Sequence, residues 1–185
     1  FRRVLFRSAS GFDGAVAALI TYIASHGGTT HGKYTAEAGG ASGACDIRST
    51  DMSIGDGKAR YLILSTCQGL KIGTGSDPTR IGENPQATWA HASKGLNCIF
   101  GYSNNMEDGD GYGDFFLHDL ATSDDTLADA FFNASRRVSM DNIPAALCFG
   151  TDEANARSHL ATAKRFTDER YGMGGSAYRY DAARR

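Results

Sequence analysis

Apolar residues along this chain gather in short, uninterrupted runs at about residues 17–24, 60–66, 96–102 and 144–149, each bounded by glycine or polar clusters. Runs of that length with such flanks predict strands. Between the later runs the apolar spacing changes to a helical one. PQATWAHASK opens on Pro85, and DDTLADAFFNASRRV places Leu127, Phe131, Ala134 and Val138 on one face. Ser123 is its expected N-cap, with acids in the first turn and arginines in the last. A further helix over about 152–167, capped by Thr151, sets Ala156, Leu160, Ala163 and Phe166 on one stripe. Strands alternating with amphipathic helices predict an α/β fold with a parallel sheet covered on both faces. The Gly-rich segment 27–58 has no clear period, and reads as a long functional loop or a crossover with small extra strands.

Composition narrows the function without naming one. The 185 residues suit a single domain, and 41% hydrophobic with 22% charged residues is globular. A net charge of -2 offers no footprint for nucleic acid. No apolar run reaches the roughly 18 residues of a membrane span. The opening FRRVLFRS, residues 1–8, reads as a translated sequencing-adapter scar and is set apart from the fold. Residues 9–170 then form the α/β domain, truncated at its N-terminus, and 171–185 a Gly-rich basic tail. The compartment and the oligomeric state stay open. Four cysteines, at 45, 67, 98 and 148, form no CxxC pair, so neither a zinc knuckle nor a redox dithiol is signalled. Cys98 and Cys148 lie inside apolar runs and are expected to be packed thiols.

Candidate chemistry lies where two of the runs end. ALITYIASHGG, residues 18–28, breaks at His26, and YLILSTCQG, residues 61–69, runs into Cys67. In a parallel sheet the carboxyl ends of neighbouring strands open onto one edge, where ligands bind, so His26 and Cys67 are expected there together. A thiolate is a nucleophile, and an imidazole beside it can take or hold the proton. The N–H groups of Gly27 and Cys67 are candidates for an oxyanion hole, with Gly28, His31, Gln68, Gly69 and Asn104 around the groove. His31 is a second candidate base, a metal ligand with Cys45 or Cys67, or a residue that shapes the loop. His91, His118 and His159 fall in helical patterns and read as packing or solvated positions.

An apolar block, His-Gly, and a second apolar block ending in Cys form the layout of the caspase and gingipain-like clan of cysteine peptidases, which this chain resembles. TWAHASKGLNCIFGYSNN and LADAFFNASRR look like the helix, next strand and following helix of the CHAT and gingipain-like branches, and the nearest likeness is to bacterial caspase-like domains. The resemblance covers about residues 14–168. It implies a three-layer α/β sandwich with a mostly parallel sheet, here lacking its first strands. It also implies a peptide or protein substrate, His26 as general base, Cys67 as nucleophile and Gly27 in the oxyanion hole. Ser65 and Thr66 depart from the residues usual before the family's cysteine. No arginine can be assigned to recognition of an acidic substrate side chain.

One further pattern points elsewhere. In NNMEDGDGYGDFFLHD, Asp108, Asp110, Gly113 and Asp119 occupy positions 1, 3, 6 and 12 of an EF-hand template, with Asp114 between them. Position 5 is Tyr112 and the segment follows a strand, so a solvated acidic loop over the sheet edge is the favoured reading. The alternative function is a non-catalytic caspase-like module that binds partners, or calcium through this loop. No other cofactor is implied.

Overall fold

The computed structural model describes residues 19–40, 43–72, 84–107 and 111–180. The expected adapter scar at 1–8 lies outside the described residues, as do Asp108 and Asp110. Eight strands and four helices follow in the order β1 (Ile20–Ala24), β2 (Gly27–Thr30), β3 (Lys33–Gly40), β4 (Gly43–Arg48), β5 (Tyr61–Ser65), α1 (Pro85–Ala90), β6 (Cys98–Tyr102), α2 (Tyr112–Thr122), α3 (Leu127–Val138), β7 (Pro144–Gly150), α4 (Glu153–Thr162) and β8 (Gly175–Tyr180). The main sheet has five strands in the order β1, β5, β6, β7, β8, and β2, β3 and β4 form a separate antiparallel sheet. The fold is α/β.

β1, β5 and β6 run parallel, as the alternation of strands and helices predicts. β7 does not; it lies antiparallel to β6, with Cys98 opposite Cys148 and Tyr102 opposite Pro144. The reason is the number of helices in the connection. Between β5 and β6 the single helix α1 carries the chain back to the start of the sheet, whereas α2 and α3 form an antiparallel pair that returns it to the end it left. β8 then pairs antiparallel with β7, so four of the five strands point the same way. The central part of the expected Gly-rich basic tail, 171–185, is this edge strand, in which Ala177 alone is buried.

Every residue of β5, β6 and β7 is buried, because successive side chains enter two different cores. Tyr61, Ile63, Phe100 and Tyr102 face α2, α3 and α4, where Phe116, Phe131 and Leu160 meet them. Leu62, Leu64, Ile99 and Leu147 face the opposite way, toward Trp89 of α1, Tyr34 of β3 and Ile54. The sheet is thus the middle of three layers.

Local signals set most element ends. Asn84 caps α1, its side chain accepting from Gln86 N, with Pro85 in the first turn. Thr126, not Ser123, caps α3 by accepting from Asp129 N, while Ser123 N and Oγ both donate to Asp119 O and close α2. Asp152, not Thr151, caps α4, which ends at Thr162 rather than near 167. Beyond it Phe166 still packs edge-on against Tyr61, with ring centroids 4.7 Å apart. Cys98 and Cys148 are buried as expected but joined as a disulfide across β6 and β7. Direct cross-strand pairing brings the two side chains face to face, a proximity that their sequence separation of 50 conceals.

Candidate active site

His26 and Cys67 reach the same edge because the strands before them are in register. Ala24 pairs with Ser65, and Ser25 N donates to Ser65 O at 3.4 Å. His26 is one residue past the last of these bonds and Cys67 two. Parallel neighbours stand about 4.8 Å apart, which puts both residues at one sheet edge. His26 is exposed and Cys67 partly so. Sγ lies 3.9 Å from the carbonyl oxygen of Met106, and no hydrogen bond joins it to the His26 ring. Ionisable pairs at such sites often tighten only when substrate arrives.

The turn after β5 is tightly specified. Gln68 sits in the left-handed region, with φ of 53°, a conformation that a non-glycine residue holds at a cost of order 1–3 kcal/mol. Three hydrogen bonds from other segments hold it there, beside one from Lys71 N to its carbonyl within the turn. Its N–H donates to Asn104 O at 2.8 Å, its carbonyl accepts from Thr29 Oγ1 at 2.7 Å, and Nε2 donates to Asn105 Oδ1 at 2.8 Å. Strand β2 and the segment after β6 therefore converge on the residue that follows the thiol. Among the described residues the Cys67 N–H meets no backbone acceptor.

Gly27 opens β2 in close contact with this turn. A Cβ there would stand 3.1 Å from Tyr34 Oη and 3.2 Å from Thr66 Cβ, whereas one at Gly28 would meet nothing within 4 Å. Successive residues of a strand face opposite ways, so Gly27 and Thr29 face the turn and the open side of Gly28 faces away from it. Gly69 differs from its expected role: it is buried, a Cβ there would lie 2.9 Å from Leu64 Cδ1, and its carbonyl accepts from Trp89 Nε1 at 2.8 Å. Close packing beneath the turn, not approach of a substrate, accounts for this glycine. Asn104 is likewise occupied by the scaffold, with Oδ1 accepting from Ile143 N and Nδ2 donating to Asp141 O.

His31 does not join His26. With Gly32 it forms the two-residue hairpin between β2 and β3, at φ of 50° and 72°, the pattern of a type I′ turn. It stands at the far end of the strand from Gly27, and its effect is to shape the loop. Asp114 is exposed in the first turn of α2, and Asp119 is buried on the same helix with Oδ1 2.9 Å from an Arg137 nitrogen. Positions 5 to 12 of the calcium template are therefore helical, where an EF-hand ligand loop is irregular. Among the described residues no group of three or more His, Cys, Asp or Glu side chains is arranged to hold a metal, and no helix is long and apolar enough to cross a membrane.

Sequence reasoning missed Thr29, Asn105, Tyr34 and Trp89, all of which hold the turn. Only Trp89 carried a signal, as the single tryptophan of the chain in a short helix led by proline. The others act through pairings between segments distant in sequence. No curated protein and no solved structure matches the chain. A family model does match, over residues 17–181, and the chain belongs to that family, described as "Domain of unknown function (DUF6345)".

Proposed function

We propose that this domain is a cysteine endopeptidase of the caspase and gingipain-like kind, acting through His26 and Cys67. The observation that carries the reading is the left-handed Gln68 beside a partly exposed thiol, held by three hydrogen bonds from two other segments. Strained backbone persists where the surroundings over-determine it, and such positions cluster at active sites. An inert, packed thiol requires no such turn. The register of β1 with β5, which brings His26 and Cys67 to one edge, supports the same reading.

The chemistry follows from these residues. The Cys67 thiolate attacks the peptide carbonyl carbon, and its electron pair forms the S–C bond as the carbonyl oxygen becomes an oxyanion. The N–H groups of Gly27 and Cys67 receive that charge. The tetrahedral intermediate collapses, the C–N bond breaks, and the leaving amine takes a proton from the His26 imidazolium. Water then attacks the thioester while neutral His26 takes one of its protons; the C–S bond breaks, the carboxylic acid leaves and gives its proton to solvent, and the thiolate is restored beside the imidazolium.

The test is cleavage of a mixed fluorogenic peptide library by the wild type, Cys67→Ala and His26→Ala. Cleavage by the wild type alone supports the reading. Equal cleavage by all three, or by none, contradicts it.

A further inference from the structure

Two fully buried aromatic side chains lie under the turn that carries Cys67, and each holds it by one hydrogen bond. Tyr34 Oη donates to Thr66 Oγ1 at 2.8 Å, and Trp89 Nε1 donates to Gly69 O at 2.8 Å. Their ring centroids are 5.2 Å apart. The same phenol oxygen bounds Gly27, where a Cβ would stand 3.1 Å from it. It therefore lies between Gly27 and Thr66, at the starts of the two segments whose backbone N–H groups the peptidase reading assigns to the oxyanion. For packing alone the hydroxyl is a poor choice, since a phenylalanine fills the same space among Ile23, Leu64 and Leu70 without a polar atom to satisfy.

We propose that Tyr34 is a positioning residue for acyl transfer, its hydroxyl acting through Thr66 to fix the spacing of the Gly27 and Cys67 N–H groups. The assignment rests on the peptidase reading. Burial pushes the Tyr34 phenol up to about 12, the Thr66 hydrogen bond opposing and the Cys67 charge adding to the rise. Tyr34 thus remains a neutral donor while a thiolate acts beside it.

Two reagents separate this role from packing. 4-Nitrophenyl acetate acylates the thiolate through a tetrahedral oxyanion: sulfur bonds to the acetyl carbon, the ester C–O bond breaks, and 4-nitrophenolate leaves. Iodoacetamide alkylates the same sulfur by displacing iodide, with no oxyanion. The ratio of the two rates, mapped to Cys67 by mass spectrometry, reads oxyanion stabilisation. In Tyr34→Phe the ratio is expected to fall about tenfold, less than loss of a whole oxyanion donor, with the alkylation rate and its pH profile unchanged. Thr66→Val is expected to match it, the double variant to add no further loss, and Thr66→Ser to restore the ratio. If Tyr34→Phe does not fold, Thr66→Val and Thr66→Ser carry the same comparison. A wild-type ratio above that of N-acetylcysteine but untouched by Tyr34→Phe and Thr66→Val overturns the Tyr34 assignment alone, as do acylation and alkylation falling together. A wild-type ratio no higher than that of N-acetylcysteine overturns the peptidase reading and the assignment with it.

Discussion

Opening the Cys98–Cys148 disulfide removes a constraint from the unfolded chain while leaving most of the folded contacts in place. The bond joins residues 50 apart in sequence, and the loop-closure entropy of a ring that size corresponds to about 4 kcal/mol of stability. In a chain of this length each kcal/mol moves the melting temperature by about 2–4 °C, so the expected fall is about 8–16 °C. The assay is thermal denaturation of protein refolded with and without reductant, with peptide mapping to establish the state of the bond in each sample. Cys98 begins β6, at the end opposite the candidate site, so the reactivity of Cys67 in the folded, reduced protein is expected to be unchanged. Identical midpoints, with the bond mapped in one sample and open in the other, refute the entropic argument. Two free thiols at these positions in the untreated protein refute the pairing itself.

Three further outcomes follow from the packing and ionisation. Phe131 is fully buried among Phe100, Tyr102, Tyr112 and Phe116, so Phe131→Ala is expected to cost about 3–5 kcal/mol by urea denaturation; a loss below 1 kcal/mol contradicts that placement. Trp89→Phe leaves the buried Gly69 carbonyl without its donor, at about 1–3 kcal/mol, and an unaltered unfolding midpoint counts against the hydrogen bond. Burial holds the His159 imidazole, stacked 3.7 Å from Tyr171, below its ordinary value. The unfolded chain therefore binds that proton first: the stability is fully present above about pH 6.5 and is lost as pH falls through the lower folded value. Urea midpoints of the wild type between pH 7.5 and 5 are expected to show this decline and those of His159→Gln to lack it; equal slopes in the two proteins refute it.

What the sequence disclosed and what it withheld divide along physical lines. The strands β5, β6 and β7 are legible because burial on both faces demands unbroken apolar runs; β1 is half-buried and legible because its run is apolar but for Thr21, and Leu127, Phe131, Ala134 and Val138 mark α3 by their period. Helix α2 reads as a loop in the sequence because its first residues, Tyr112 to Asp114, follow the acidic, Gly-rich DGDG, and the buried Asp119 is polar, paired with Arg137. The antiparallel β7 depends on α2, and so was hidden with it. β8 was hidden because an edge strand with exposed Tyr178 and Tyr180 lacks an apolar run. At the site, His26 and Cys67 are readable as the ends of two runs, since strand ends alone place them. The support beneath them is not: Tyr34, Trp89, Thr29 and Asn105 bond across separations of 20 to 39 residues, which no local pattern encodes. His31 looked chemically equivalent to His26 until the hairpin placed it at the tip.

The central claim is that His26 activates Cys67, and the most direct measurement is the rate at which iodoacetamide alkylates Cys67 at pH 7 in the wild type, in His26→Ala and in a small free thiol. The account predicts that the wild-type thiol reacts faster than the free thiol and that His26→Ala abolishes the advantage. Equal rates in the wild type and His26→Ala contradict it.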